Sequence, residues 1–158
     1  MKGKKNMNAL EIRDLCKNYT EFQLDHVNLT LPMGCIMGLV GENGAGKSTT
    51  IKLILNAIKR DGGAITIFGK DNRENFHLVK EDIGVVLDET GISECLTPVQ
   101  VGKVMKNIYK NWDSAIYENY LQQFRLPVNK KFSEFSKGMR MKLGIAVALS
   151  HHAKLLIL

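Results

Sequence analysis

Apolar positions along this chain change period several times, and each change marks an element. Ala9 to Cys16 alternate partly and predict a strand. Leu24, Val27, Leu29 and Leu31 carry a second alternating run over Phe22 to Leu31, closed by Pro32 and Gly34. A turn near Asn18 joins the two, which predicts an antiparallel pair. Cys35-Ile36-Met37-Gly38-Leu39-Val40 is continuously apolar, the pattern of a strand buried on both faces of a parallel sheet. Ile51, Ile54, Leu55 and Ile58 then recur at helical spacing and predict a helix over Thr49 to Ile58. Gly62-Gly63 signals a turn, Ala64 to Phe68 a strand ended by Gly69, and Ile83 to Leu87 a short strand able to join the core sheet.

From Thr97 the pattern is helical. Thr97 can cap a helix with Pro98 at its first position, and Val101, Val104, Met105 and Ile108 follow on one face. Asp113 or Ser114 opens a second helix with Tyr117, Tyr120, Leu121 and Phe124 on one side, broken by Pro127. Leu143, Ala146, Val147 and Leu149 mark a third. These stripes read as internal packing, with a partner-docking groove as the alternative. Ala153 to Leu158 predicts a fully buried strand, and the chain stops on it with no polar residue after, as a truncated chain would.

Between the apolar run ending at Val40 and the first helix lies Gly41-Glu42-Asn43-Gly44-Ala45-Gly46-Lys47-Ser48, a full match to G-x-x-x-x-G-K-[ST]. Glycines let backbone N–H groups crowd a polyphosphate where a side chain would collide with it. Lys47 brings a mobile positive charge to the β- and γ-phosphates, and the Ser48 hydroxyl can ligate Mg²⁺. The helix that follows directs its N-terminal dipole at the anion. Strand, loop and helix occur in the order the loop requires, which sets this match apart from a glycine turn. A bound nucleoside triphosphate is the expectation.

Composition adds limits. At 158 residues, 44% hydrophobic and 24% charged, the chain reads as one soluble globular domain. No apolar stretch reaches membrane-spanning length and none follows the basic tail of residues 1–6, so neither a span nor a signal peptide is expected. The net charge of +6 is dispersed, without a basic cluster interleaved with aromatics, so no nucleic-acid partner is expected. Cys16, Cys35 and Cys95 are odd in number and widely spaced, and read as reduced cytosolic thiols, not as a disulfide frame or metal site.

Taken in order, these residues resemble an ATP-binding cassette (ABC) domain, the nucleotide-binding subunit of ABC transporters. Tyr19 stands where the family places an aromatic ring that stacks on adenine, and the P-loop follows. Ile83 to Glu89 looks like the segment leading to the family's Q-loop, with Asp88 in the place of its Gln. Phe135-Ser136-Lys137-Gly138-Met139 lies where the family carries Leu-Ser-Gly-Gly-Gln, and Leu155 to Leu158 is similar to the apolar half of its Walker B strand.

The resemblance implies an α/β P-loop NTPase core with an antiparallel β edge over residues 7–96 and 150–158, and a helical subdomain over 97–149. It implies ATP held by Tyr19, Gly41, Glu42, Asn43, Gly44, Ala45, Gly46, Lys47, Ser48 and Thr49, and Mg²⁺ by Ser48 and Asp88. Lys47 and Asp88 would act on the reacting phosphate. Ser136, Lys137, Gly138 and Met139 would reach ATP held by a second cassette, identical or different. A transmembrane permease would be the partner, with the cassette on the cytoplasmic face of the membrane. The loosened signature looks like that of bacterial export-type subunits. The family's Walker B carboxylates and switch-loop His would follow Leu158. His151 and His152, read as lying in a solvated turn, do not replace them. The full-length protein is therefore expected to be an ATPase and this chain nearly inactive. The alternative is a soluble cassette ATPase acting on nucleic acid or ribosomes, whose long coiled coils or paired cassettes do not occur within these 158 residues, though truncation could hide a second cassette. A GTPase would need Asn-Lys-x-Asp, and Asn129-Lys130-Lys131 lacks the Asp.

Overall fold

A computed structural model describes residues 7–87 and 91–158. Asp88 lies outside the described residues. The chain forms two compact units, Met1–Val79 and Lys80–Leu158.

The first unit is built on a four-stranded antiparallel sheet. Strand β1 (Asn8–Asn18) pairs with β2 (Gln23–Pro32) on one side and β3 (Gly62–Ile67) on the other, and β4 (Lys70–Asp71) closes the far edge. The order is β2-β1-β3-β4, so the antiparallel pair expected from the alternating runs is present, with its turn over residues 19–22. Leu10, Ile12, Leu15, Leu24, Ile65 and Ile67 from these strands are buried. Phe68 (φ 50°) and Gly69 (φ 75°) both take the left-handed conformation that a tight β3–β4 hairpin needs. The expected turn at Gly62-Gly63 is instead the start of β3. Gly63 (φ 78°) lies where an added Cβ would fall 2.3 Å from the Asp14 carbonyl oxygen, so only glycine fits.

The longer of the two helices among the described residues of this unit, α1 (Lys47–Ile54), starts two residues before the expected Thr49 and ends well before Ile58. Its end is a Schellman motif. Asn56 takes φ 52°, its N–H donates to the Leu53 carbonyl, and the Ala57 N–H donates to that of Lys52. The buried Asn72 side chain then donates to the carbonyls of Leu53 (2.7 Å) and Ile54 (2.9 Å). Arg60 holds Asn72 and Asp71 in turn. A short helix α2 (Phe76–Val79) ends the unit.

One expectation fails here. Cys35 to Val40 makes no strand ladder among the described residues, and Ile36 and Val40 are 102% and 89% exposed. An apolar run reports the capacity to be buried; burial also requires hydrogen-bonding neighbours. β1 to β4 satisfy one another, and Cys35 bonds only back to the Pro32 carbonyl.

In the second unit β5 (Ile83–Val85) pairs in parallel with β6 (Leu155–Ile157), so these strands belong with the helices and not with the antiparallel sheet. Helix α3 (Pro98–Ile108) begins as the sequence indicates, with Thr97 and Gln100 forming a reciprocal capping box. Asp113 caps α4 (Ser114–Gln123) by accepting from the Ile116 N–H. This helix ends before Pro127, in a second Schellman motif with Arg125 at φ 53°. Helix α5 (Lys137–Leu149) follows. Val101, Tyr117, Leu121, Leu126, Phe132, Phe135, Leu143 and Ala146 make the core, so most of the helical stripes are internal packing. Val104 and Ile108 stay exposed. Gly102 lies under Tyr117, whose hydroxyl donates to the Pro98 carbonyl at 2.9 Å.

Two further expectations are corrected. The 153–158 strand is not fully buried: Leu155 is, but Leu156, on the opposite face, is 41% exposed and Leu158, past the end of the strand, 77%, so only one face is covered. His151 is not in solvent either. Its ring stacks on Tyr109 at 4.0 Å, and its Nδ1 lies 3.1 Å from the Glu81 carbonyl. His152 alone is exposed. No helix among the described residues is long and apolar enough to cross a membrane.

Candidate functional site

The loop between residue 41 and α1 is shaped by its glycines. Gly44 and Gly46 take φ of 89° and 91°, a region costly to any residue with a Cβ. A Cβ on Gly46 would also fall 2.7 Å from both Phe22 and Leu24, so this glycine lets the loop lie against the β1–β2 hairpin. The Ala45 N–H closes a turn onto the Glu42 carbonyl at 3.2 Å. Thr50, buried, sends its N–H (2.8 Å) and its hydroxyl (2.9 Å) to the Gly46 carbonyl and locks loop to helix.

Gly46 is the N-cap of α1 and offers no side-chain acceptor. The first-turn N–H groups therefore keep their donor capacity, and no acidic side chain in that turn offsets the positive end of the dipole. Lys47 Nζ donates to the carbonyls of Gly41 (2.6 Å) and Glu42 (2.7 Å), leaving its third proton for a ligand. Glu21, Phe22, Asn43, Gly44, Gly46, Lys47, Ser48 and Thr49 line an open cleft of about 500 Å³. That is the size of a small-ligand site. Its donors, its ammonium and its hydroxyls suit a polyphosphate, and the Ser48 hydroxyl is an oxygen that could serve a hard cation.

Tyr19 is exposed in the β1–β2 turn, its N–H bonded to the Phe22 carbonyl at 2.8 Å. Its ring centroid lies 6.4 Å from that of Phe22, and Lys17 Nζ sits 5.3 Å from its face. Phe22, not Tyr19, lines the cleft. Sequence reasoning missed Phe22 and Glu21, which only the tight turn brings beside the loop.

In the second unit Ser136 caps α5, its Oγ accepting from the Met139 N–H at 3.3 Å. Ser136, Lys137 and Gly138 are exposed, and nothing lies within 4 Å of where a Gly138 Cβ would stand. Met139 differs: it packs against the core. Arg140 fixes this corner by donating to the carbonyls of Phe135 (3.2 Å) and Ser133 (3.3 Å). The P-loop and the Ser136 segment thus each occupy their own unit.

The family model described as ABC transporter matches residues 24–158, a span holding both the P-loop and the Ser136 segment. The chain belongs to the ABC transporter ATP-binding family.

This ABC domain is 33% identical over 153 residues to the bacitracin transport ATP-binding protein BcrA of Enterococcus faecalis, covering 95% of this chain and 50% of BcrA. It is 34% identical over 154 residues to the BcrA of Bacillus licheniformis, covering 94% and 50%. The chain spans about half the length of the curated relatives it matches. Among solved structures, the ATP-binding subunit of an ABC transporter superposes with a TM-score of 0.82 at 30% identity, over 94% of this chain and 64% of the other. An ATP-binding protein from Pyrococcus furiosus, described as a putative ABC transporter, gives 0.75 at 26%, over 91% and 71%. The expected fold class, a P-loop ABC ATPase with an antiparallel β edge and a helical part, is the one these neighbours share.

Proposed function

We propose that residues Gly41 to Thr49 bind the triphosphate of ATP with Mg²⁺, and that the chain is the nucleotide-holding part of a transporter's ATPase subunit. The observation that carries this reading is the uncapped N-terminus of α1 with Lys47 and Ser48 in one open cleft. The first-turn N–H groups and Lys47 bind the β- and γ-oxygens, with Lys47 exchanging a loop carbonyl for a phosphate. Ser48 orients Mg²⁺, with Asp88 proposed as a second oxygen ligand. Phe22 and the exposed ring of Tyr19 receive the base. Bound Mg-ATP supplies the phosphoanhydride bond whose cleavage releases free energy.

Ser136, Lys137 and Gly138, with the Met139 backbone, are proposed to meet ATP held by a second cassette, since an open glycine beside a helix N-terminus suits an anion. Hydrolysis, docking to a transmembrane permease and a place on the inner membrane face are proposed for a polypeptide of the relatives' length. Relatives named for bacitracin transport support a transporter over a nucleic-acid role. Thermal unfolding tests the binding step. Mg-ATP at 100 times its Kd stabilises the fold by about 2.7 kcal/mol, and no shift at saturating Mg-ATP would count against the reading.

A further inference from the structure

A second group of ligand atoms lies on the β1–β2 hairpin, apart from the nucleotide cleft. Cys16 Sγ, an Asp25 carboxylate oxygen and an imidazole nitrogen of His26 all lie within 4.8 Å of one another. We propose that Cys16, Asp25 and His26 bind a divalent transition-metal ion, Zn²⁺ before others.

The strands are irregular at this point. β1 and β2 pair Leu15 with Val27 and Lys17 with Leu24, so Cys16 alone opposes Asp25 and His26. His26 (φ 45°) and Asp14 (φ 46°) both take left-handed backbone conformations. A bulge of this kind re-aims side chains and brings consecutive residues to one spot.

The donor set is one thiolate, one imidazole and one carboxylate. That mixture suits Zn²⁺ or Co²⁺ and is a poor match for Mg²⁺ or Ca²⁺. A thiolate and a carboxylate also neutralise the ion's charge. Two nitrogens of His26 face two acids: Nε2 lies 3.7 Å from Asp25 and Nδ1 lies 3.6 Å from Asp14. With Nε2 on the metal beside Asp25, Asp14 is placed to accept the Nδ1 proton, the outer carboxylate that orients a ligating histidine. Asn28 steadies Asp14, accepting from its N–H at 3.0 Å and donating to the His26 carbonyl at 2.8 Å. Lys17, the nearest ammonium in sequence, is turned to Asp61 at 2.9 Å and leaves the group free of a competing cation. Half-buried Cys16 and exposed Asp25 and His26 leave room for water as a fourth ligand. Sequence spacing hid this group, because Cys16 has no paired cysteine and its neighbours come from the next strand.

The test is a Co²⁺ titration of the chain carrying Cys35→Ser and Cys95→Ser, which leaves Cys16 the sole thiol. One Co²⁺ should bind per chain, with thiolate charge-transfer absorption and the intense visible bands of a tetrahedral site, and Zn²⁺ should displace it. Cys16→Ser should abolish the charge-transfer band. His26→Gln should weaken binding at least tenfold, and Asp14→Asn by about tenfold. Absence of saturable binding, or an unchanged affinity in His26→Gln, would overturn the proposal. Far-ultraviolet circular dichroism and urea unfolding report folding of each variant independently of any ligand.

Discussion

Lys47 directs two of its ammonium protons to the carbonyls of its own loop, so its charge is held ready over the first turn of α1. Charge-assisted hydrogen bonds contribute about 1.5–3 kcal/mol each, so Lys47→Ala is expected to weaken ATP binding by about ten- to a hundredfold. Tyr19 divides the ligand differently. Its exposed ring is proposed to stack on the base, so Tyr19→Ala should cost about 1–3 kcal/mol for ATP and nothing for inorganic tripolyphosphate, as calorimetry with both ligands would reveal. His151 predicts a pH effect. Burial lowers its pKa below the ordinary value of 6.5, outweighing the Glu81 carbonyl and charge that favour the protonated ring. The unfolded chain therefore takes up a proton at higher pH than the folded one. Stability is full above pH 6.5 and declines as pH falls below it toward the lowered folded pKa. Urea midpoints measured across this window should fall with pH in the wild type and less in His151→Phe, which keeps the stack on Tyr109.

Among the elements, α1 depends on what holds its far end. Asn72 accepts from Arg60 and donates to the last carbonyls of the helix, with Asn72, Leu53 and Ile54 all buried. Asn72→Ala takes one donor from the Leu53 carbonyl, which keeps the Asn56 N–H, and leaves the Ile54 carbonyl without its Asn72 partner; it should destabilise the chain by about 1–3 kcal/mol, read as a lowered denaturation midpoint with an unchanged m-value. Much of the local structure was legible. The Thr97-Pro98 start, the Asp113 cap and the alternating β1–β2 pair each carry a chemical signal in adjacent residues. The misses share a cause. Both Schellman ends use Asn56 and Arg125 where glycine is the usual mark, and the bulges at Asp14 and His26 are likewise carried by residues with a Cβ. Cys35 to Val40 shows the other limit. Its apolar pattern says nothing of which strands are present to pair with it.

At the scale of the molecule, P-loop and Ser136 segment stand in separate units of one chain, each ending at the N-terminus of a helix. The loop's place at the start of a helix was legible, since its residue types and spacing mark it. The walls of the cleft were less so, because Phe22 reaches it through a fold in space. The proposed pairing with a second cassette predicts that Ser136→Ala leaves ATP affinity of the single chain unchanged. In a polypeptide of the relatives' length it should lower ATP-dependent dimerisation, as analytical ultracentrifugation would detect. The central claim is that this chain holds ATP through the loop before α1. Isothermal titration of Mg-ATP into the wild-type chain and into Lys47→Ala tests it most directly. Saturable one-to-one binding that is lost or greatly weakened in Lys47→Ala is the predicted result; equal binding by both chains, or none by the wild type, would contradict it.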